Sequence, residues 1–190
     1  MMQFNELEGE RVKLIPLVAD HLTELYACSK HPEIWLNYPL QIASMEDMSL
    51  FIEGALKGRE RGEQFPYVVY DKQLQRIIGS TRYLRISEEN RNLNIGSTWL
   101  IPHVWRTSVN TEAKYLMLRY AFETLQVVRV EIITTPDNER SQRAIERLGA
   151  VREGLFRQKY NRTDYIVYSI IDSEWDRVKQ SLNDRLGLAI

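Results

Sequence analysis

Residues 103–118 read HVWRTSVNTEAKYLML. Arg106, Ser108, Asn110 and Thr111 stand at the mouth of an amphipathic helix, and no acid appears until Glu112. A helix N-terminus exposes about four unpaired N–H groups and carries roughly half a positive charge. It is therefore a ready site for an anion. The guanidinium of Arg106 adds a fixed cation whose fork suits phosphate oxygens. Ser108, Asn110 and Thr111 can all cap a helix, and Asn110 is the expected N-cap. On their own these residues fit two readings: a cradle of main-chain amides from Trp105 to Thr111 for a pyrophosphate, or helix caps beside a solvated arginine.

A second stretch, DNERSQRAIERLGA at 137–150, adds a related pattern. Ser141, Ala144, Ile145 and Leu148 share one helix face, while Arg140, Arg143 and Arg147 share another. The basic stripe could hold a further phosphate; with Glu139 and Glu146 interspersed it could equally be a solvated face. Two phosphate-suited elements on consecutive helices, joined by one strand, suit a ligand with separated phosphates.

The elements that must position these residues follow from periodicity. RVKLIPL (11–17) reads as a strand and ADHLTELYACS (19–29) as a helix with Leu22, Leu25 and Tyr26 on one face. Ser44 and Asp47 have capping-box spacing, opening a helix to about Arg61. Its Gly54, Gly58 and Gly62, interleaved with Lys57, Arg59, Glu60 and Arg61, suggest a weak, solvent-laced helix. Three antiparallel strands are expected at 64–71, 76–86 and 91–101, with short polar connectors. Then come a helix at about 111–126, a β-branched strand at 127–135 and a helix at about 139–148 that ends on Gly149. LFRQKY and DYIVYSII form a closing hairpin around NRT, and Asp172 or Ser173 caps a last helix. One strand–helix–strand crossover in an otherwise antiparallel set implies an α/β (α+β) fold, a mixed, mostly antiparallel sheet of about six or seven strands with helices on both faces.

The totals bound the rest. A chain of 190 residues with 44% hydrophobic and 27% charged residues suits one domain spanning 1–190, its core at about 11–177. A net charge of −1 gives no global field to recruit nucleic acid. The single cysteine, Cys28, forms no internal disulfide, and its helix offers no base to activate it, so it reads as a buried structural thiol. The N-terminal residues lack the apolar run of a secretory signal. No stretch of about 18 apolar residues is available to cross a bilayer. Together these features point to a cytoplasmic protein with no membrane partner. His21, His31 and His103 show no metal-ligand spacing, so no metal is expected.

The pieces LEGERVKLIPL, NTEAKYLMLRYAFETL, RVEIITTPDNERSQRAIERLGAVREG and VYSIIDSEW together resemble the GNAT acetyltransferases, in particular the Rim-type ribosomal-protein N-acetyltransferase branch. The resemblance covers nearly the whole chain. It implies a sheet splayed in its middle, with acetyl-CoA lying between the strand ending near Leu100 and Ile101 and the strand at 127–135. It further implies that the pyrophosphate rests on the loop Arg106, Thr107, Ser108, Val109, Asn110 and Thr111, with Asn138 and Ser141 near the pantetheine and sulfur. Arg147 is the stripe residue expected to take a further phosphate. Relatives of this kind also form homodimers.

The sequence departs from the family pattern at two places. Where the loop usually carries small residues, Ser108 stands for glycine and Asn110 for glycine or alanine. Where a glutamate often stands on the third of the three strands, this chain has Asn94, and Ile145 stands where many members place a tyrosine. The usual proton-handling residues are therefore missing. Ser141 is the expected proton donor to the leaving thiolate, and Glu112 could relay a proton through water or simply complement the helix dipole. A backbone N–H near Leu100 or Ile101 would hold the oxyanion. An α-amine, with a pKa of about 8, is roughly a tenth neutral at pH 7, whereas a lysine amine near 10.4 is almost wholly protonated. The expected acceptor is accordingly a protein N-terminus or a small amine. Its pocket is expected between the early aromatic segment and the closing hairpin, walled by Trp35, Tyr38, Tyr83 and Tyr160. The alternatives are a detoxifying acetyltransferase for an amine antibiotic or metabolite, and a non-catalytic acyl-CoA-binding regulator.

Overall fold

The structure is a computed structural model and describes residues 2–36, 38 and 40–188. The strands are β1 (Leu7–Glu8), β2 (Val12–Pro16), β3 (Gln64–Asp71), β4 (Arg76–Ser87), β5 (Asn92–Leu100), β6 (Arg129–Thr134), β7 (Val151–Tyr160) and β8 (Thr163–Ile171). The helices are α1 (Leu22–Cys28), α2 (Met45–Glu60), α3 (Val109–Arg119), α4 (Glu139–Arg147) and α5 (Trp175–Leu186). The strands form one sheet in the order β1-β2-β3-β4-β5-β6-β8-β7. Eight strands are present where six or seven were expected, because the two-residue β1 folds back on β2. So short a strand carries no periodicity to read.

Every neighbouring pair is antiparallel except β5–β6. That parallel pair is brief: Asn92, Leu93 and Asn94 face Arg129, Val130 and Glu131, and there the register ends. Beyond Asn94, β5 stays with β4 as far as Leu100, while β6 continues along β8 to Thr134. The two strands part into a V that opens toward their C-terminal ends. A bulge helps to turn β5 aside. The β4–β5 register slips between Ser80 and Arg82, and Ser97 adopts a left-handed φ of 46°. Extra residues of this kind bend the strand that carries them.

Helices cover both faces. Tyr83 of β4 donates from its hydroxyl to the Met117 carbonyl of α3 at 2.7 Å, whereas its neighbour Arg82 lies over the ring of Phe51 on α2. Thus α3 backs one face of this half-sheet and α2 the other. On the α3 side, Trp175 of α5 stacks on Phe122 and Tyr115. The helix expected at 111–126 begins two residues earlier, and after Arg119 it widens into a π turn at Tyr120–Thr124. The box between Ser44 and Asp47 opens α2 as the spacing predicts. That helix is less solvent-laced than its charges suggest: Met48, Ile52, Ala55 and Gly58 form a buried stripe. The cap of α5 differs from expectation, because Asp172–Glu174 form a 3-10 turn that places Glu174 at the N-cap. Cys28 is buried, and burial raises its thiol to about 12.

Candidate active site

The loop between β5 and α3 is tied down by its own side chains. A 3-10 turn at Pro102–Val104 leaves β5. The Trp105 indole then donates back to the Leu100 carbonyl at 2.8 Å. Arg106 follows with φ at 63°, a left-handed conformation that reverses the chain. The Thr107 hydroxyl donates to the Val104 carbonyl at 2.7 Å and accepts from the Val109 N–H at 3.3 Å. The first intrahelical bond of α3 runs from the Glu112 N–H to the Ser108 carbonyl at 2.8 Å. The amides just before it form the donor-rich end of the helix. Asn110, expected as the cap, sits inside the first turn instead; Ser108 occupies the N-cap position and makes no side-chain cap bond. Thr107 has taken over the capping role.

Arg106, Thr107 and Ser108 are exposed, Asn110 and Thr111 half-buried, and Val109 buried in the core. A cavity of about 280 Å³ lies against this turn, lined by Ser108, Thr111, Arg147, Arg185 and Leu186. It brings together the α3 N-terminus, the end of α4 and the end of α5. Arg147 comes from the basic stripe read in the sequence. Arg185 was not anticipated, because a lone arginine in a last helix carries no pattern that ties it to residues 77 positions earlier. Of the remaining stripe, Arg143 pairs with Glu139 at 3.2 Å on the exposed face. Arg140 stacks 3.8 Å from the Trp105 ring centroid, bridging the open end of the V.

Asn138 caps α4, its side-chain oxygen accepting the Ser141 N–H at 3.1 Å. The Ser141 hydroxyl makes no hydrogen bond among the described residues and is half-buried. The Ile101 amide, one of two offered for an oxyanion, is already committed to the Ile78 carbonyl at 2.9 Å. Successive strand amides point to opposite edges, so the Leu100 N–H is directed toward the V and Ile101 is excluded.

Glu112, expected to relay a proton or complement the helix dipole, is held by main-chain amides of β2 and its approach. Its carboxylate is buried and accepts the backbone N–H groups of Arg11 at 2.9 Å and Val12 at 3.2 Å, which pins α3 to β2. A carboxylate does appear beside Asn94, on the neighbouring strand. Asn94 is buried, and its side-chain amide donates to Glu131 at 3.3 Å. The two residues face each other in register at the point where β5 and β6 part. Arg129 holds Glu131 at 2.9 Å and also grips Glu153 of β7, whose other tie is the Ser169 hydroxyl at 2.7 Å. That grip by Arg129, helped by Ser169, holds the Glu153 carboxyl down at about 2. Glu131 was overlooked because, within VVRVEIITT, it looked like one polar position of an alternating strand.

The expected acceptor walls separate by face. Tyr83 is fully buried against α3 and belongs to the core, opposite the Arg82 side of the sheet. Trp35 is buried, donates to the Ser29 carbonyl at 2.8 Å, and packs edge-on to Tyr38 at 5.3 Å and against Trp99 at 5.4 Å. Tyr160 lies at the tip of the β7–β8 hairpin with the Arg85 guanidinium over its ring at 4.9 Å, so the tip reaches as far as β4. No helix among the described residues is long and apolar enough to cross a membrane.

A family model described as an acetyltransferase (GNAT) domain matches residues 11–151. The chain is 27% identical over 175 residues to the Bacillus subtilis protein described as uncharacterized N-acetyltransferase YoaA, covering 88% of this chain and 97% of that one. A GCN5-related N-acetyltransferase from Brucella melitensis superposes with a TM-score of 0.89 at 29% identity, over 99% of this chain and 87% of that one. Mycobacterium smegmatis RimJ, solved in complex with CoA-disulfide, shares the fold with a TM-score of 0.81 at 17% identity, over 96% of this chain and 95% of its own.

Proposed function

The chain belongs to the GNAT acetyltransferase family, and from that premise we propose that it transfers an acetyl group from acetyl-CoA to a primary amine by direct attack in a ternary complex. The observation that carries this reading is the parting of β5 and β6 after Asn94 and Glu131, with the α3 N-terminus at the open end. An extended, amide-bearing arm entering the V meets unpaired strand edges and can bond to them as another strand would. The amides ahead of the first α3 bond, with Arg106, receive the pyrophosphate. Arg147 and Arg185 supply a second cationic cluster at the cavity beside it. The solved RimJ complex with CoA-disulfide, in a protein of the same fold, is consistent with that assignment.

Each step then has a residue. The amine must shed a proton, and Glu131 is the carboxylate placed to accept it, with Asn94 and Arg129 fixing its position. The Leu100 N–H stabilises the oxyanion of the tetrahedral intermediate. The departing thiolate is a tolerable leaving group at a thiol pKa of about 8.5; the unengaged Ser141 hydroxyl can donate a hydrogen bond to it, and the thiolate takes its proton from solvent. Proximity supplies the rest. Acceptors with a low amine pKa, an α-amine of a protein N-terminus or a small amine, remain the easiest to deprotonate.

The test is a titration of CoA followed by thiol release from acetyl-CoA across a panel of amines. Arg106→Ala should raise the acetyl-CoA KM, and Ser141→Ala should mainly lower kcat. Tight CoA binding with no turnover on any amine would identify a regulator; unchanged cofactor affinity in Arg106→Ala would remove the pyrophosphate assignment.

A further inference from the structure

Among the described residues, six buried side-chain polar atoms have no hydrogen-bond partner: Asn183 Oδ1 on α5 and, on other elements, the Tyr38 hydroxyl, Nε and Nη2 of Arg82, the Trp99 indole N–H and the Tyr160 hydroxyl. Buried polar groups are normally satisfied, and a buried cation without a counter-charge is the most costly of them. Arg82 is the centre of the set. It is 6% exposed, and no salt bridge among the described residues includes it. Its compensation is partial: Nη1 donates to the Gln64 side chain at 3.1 Å, and the guanidinium lies 4.6 Å from the Phe51 ring centroid. Burial pushes the Tyr38 phenol above its ordinary value, so it stands near Arg82 and Ser97 as a neutral hydroxyl. Around them stand Trp35, edge-on to Tyr38, and Trp99.

The location is specific. Arg82 pairs with Gly96, next to the left-handed Ser97 at the bulge of β5. Leu100, at the pyrophosphate end, is four residues farther along, roughly 13 Å at the usual strand rise. The phosphates of a coenzyme seated at the α3 N-terminus therefore do not reach Arg82. Asn94, facing Glu131, is two residues the other way, roughly 7 Å. The unpaired cation thus sits near the base of the V, on the α2 face. The hairpin tip that reaches β4 carries exposed Arg157, Lys159 and Arg162. Its Asp164 carboxylate is occupied by the Gln158 N–H at 2.7 Å. The rim therefore has the same sign as the buried group.

We propose that Arg82 anchors an oxyanion carried by the acceptor itself, a carboxylate or phosphate a few bonds from the amine that is acetylated, with the neutral Tyr38 hydroxyl beside it and the hairpin cations drawing it in. This rests on the reading of the protein as an amine acetyltransferase and names the class of its acceptor. Two free N–H groups of one guanidinium form the fork that binds an oxyanion through two oxygens. Once the anion is bound, the amine is held at a fixed distance on the side of Glu131. The reaction is unchanged: the amine nitrogen bonds to the acetyl carbon, the carbon–sulfur bond breaks, and the nitrogen's proton leaves to the carboxylate while the anion remains intact.

Two measurements test this. In the first, β-alanine, O-phosphoethanolamine and propylamine are titrated into the CoA-free protein, followed by tryptophan fluorescence, since Trp35 and Trp99 border Arg82. Saturable binding of either anionic amine and none of propylamine is expected, and the arm that responds tells carboxylate from phosphate. Arg82→Met should abolish this binding, and Arg82→Lys should retain part of it. In the second, kcat/KM with acetyl-CoA is compared across the same amines. The anionic amine that binds should be favoured over propylamine by at least 30-fold, and the ratio should collapse to below 3-fold in Arg82→Met with the CoA Kd unchanged. Tyr38→Phe should lower the ratio less and serves where Arg82→Met does not fold. Equal responses to all three amines, or no fluorescence response to either anion, overturns the proposal. Turnover on propylamine with no anion preference does so while leaving the acetyltransferase reading intact, and failure to bind CoA removes that reading while the anion titration still decides the role of Arg82.

Discussion

Replacing Lys114 by methionine should stabilise the protein, and more so at neutral than at alkaline pH. Lys114 lies on α3 beneath β4 and β5, donating to the Thr81 hydroxyl at 3.2 Å and to the Thr98 hydroxyl, with no carboxylate paired to it among the described residues. Burial brings its ammonium from the ordinary lysine value of 10.5 to about 7. The folded value is below the unfolded one, so the unfolded chain binds more protons between these limits. Stability is then reduced in full below about pH 7 and recovers as pH rises to 10.5. The fall of about 3.5, from 10.5 to 7, corresponds at 1.36 kcal/mol per pKa unit to a limiting penalty of about 5 kcal/mol. Half-ionisation leaves about 4 kcal/mol at pH 7 and about 2 kcal/mol at pH 9. Methionine keeps the length of the side chain, and the two threonine hydroxyls still bond each other at 2.8 Å. Urea unfolding at pH 7, 8 and 9, followed by fluorescence, should show the wild type gaining about 2 kcal/mol on the variant over that range. At pH 7 the variant should melt on the order of 10 °C higher. Parallel pH curves for the two proteins, or a variant that is less stable at pH 7, would refute the argument that an unpaired cation is confined there.

Three further outcomes are expected. Glu131→Gln should lower kcat by about 100-fold, in the range of lost general-base catalysis, with the acetyl-CoA KM unchanged; a rate within threefold of wild type would show that the proton leaves by another route. Glu112→Ala strands the Arg11 and Val12 amides and should cost about 3 kcal/mol of stability while kcat of the folded enzyme stays near wild type; a fall in kcat at unchanged melting temperature would return Glu112 to a chemical role. Arg147→Ala and Arg185→Ala should each weaken CoA binding by about tenfold, on the scale of one lost charge-assisted bond, as read by calorimetry; no change in either would detach that cavity from the coenzyme.

Periodicity carried most of the fold, because strands and helices in this chain bury one face and solvate the other. It failed where an element is too short to repeat, as in β1, and where helix geometry changes without a change in pattern, as in the π turn after Arg119. The loop proposed for the pyrophosphate was legible as a helix start because its signal is local: small polar residues, an arginine and the first helical turn lie within six positions. Even there the cap was misassigned, since Ser108, Asn110 and Thr111 are all competent and the actual capping group, Thr107, is chosen by how the loop folds back on Val104. The carboxylate beside Asn94 was not legible. Glu131 meets Asn94 only through a parallel pairing of strands 37 residues apart, and a single sequence does not reveal register. Tyr83 was misplaced for the mirror reason: adjacent residues of a strand point to opposite faces, and the bulges in β4–β5 decide which face is which. Arg82 lay in the same strand, and nothing in its neighbours marked it as buried.

The brevity of the β5–β6 pairing has a mechanical consequence. The sheet is two panels, β1–β5 and β6–β8, joined edge to edge across three facing residue pairs. Such a seam is where the molecule should flex, with β6 and its partners swinging against the rest while α3 and α5 act as the backing. A coenzyme that threads the gap would then work as mortar as well as reactant, stiffening the union between the panels whenever the enzyme is charged and loosening it again after each turnover.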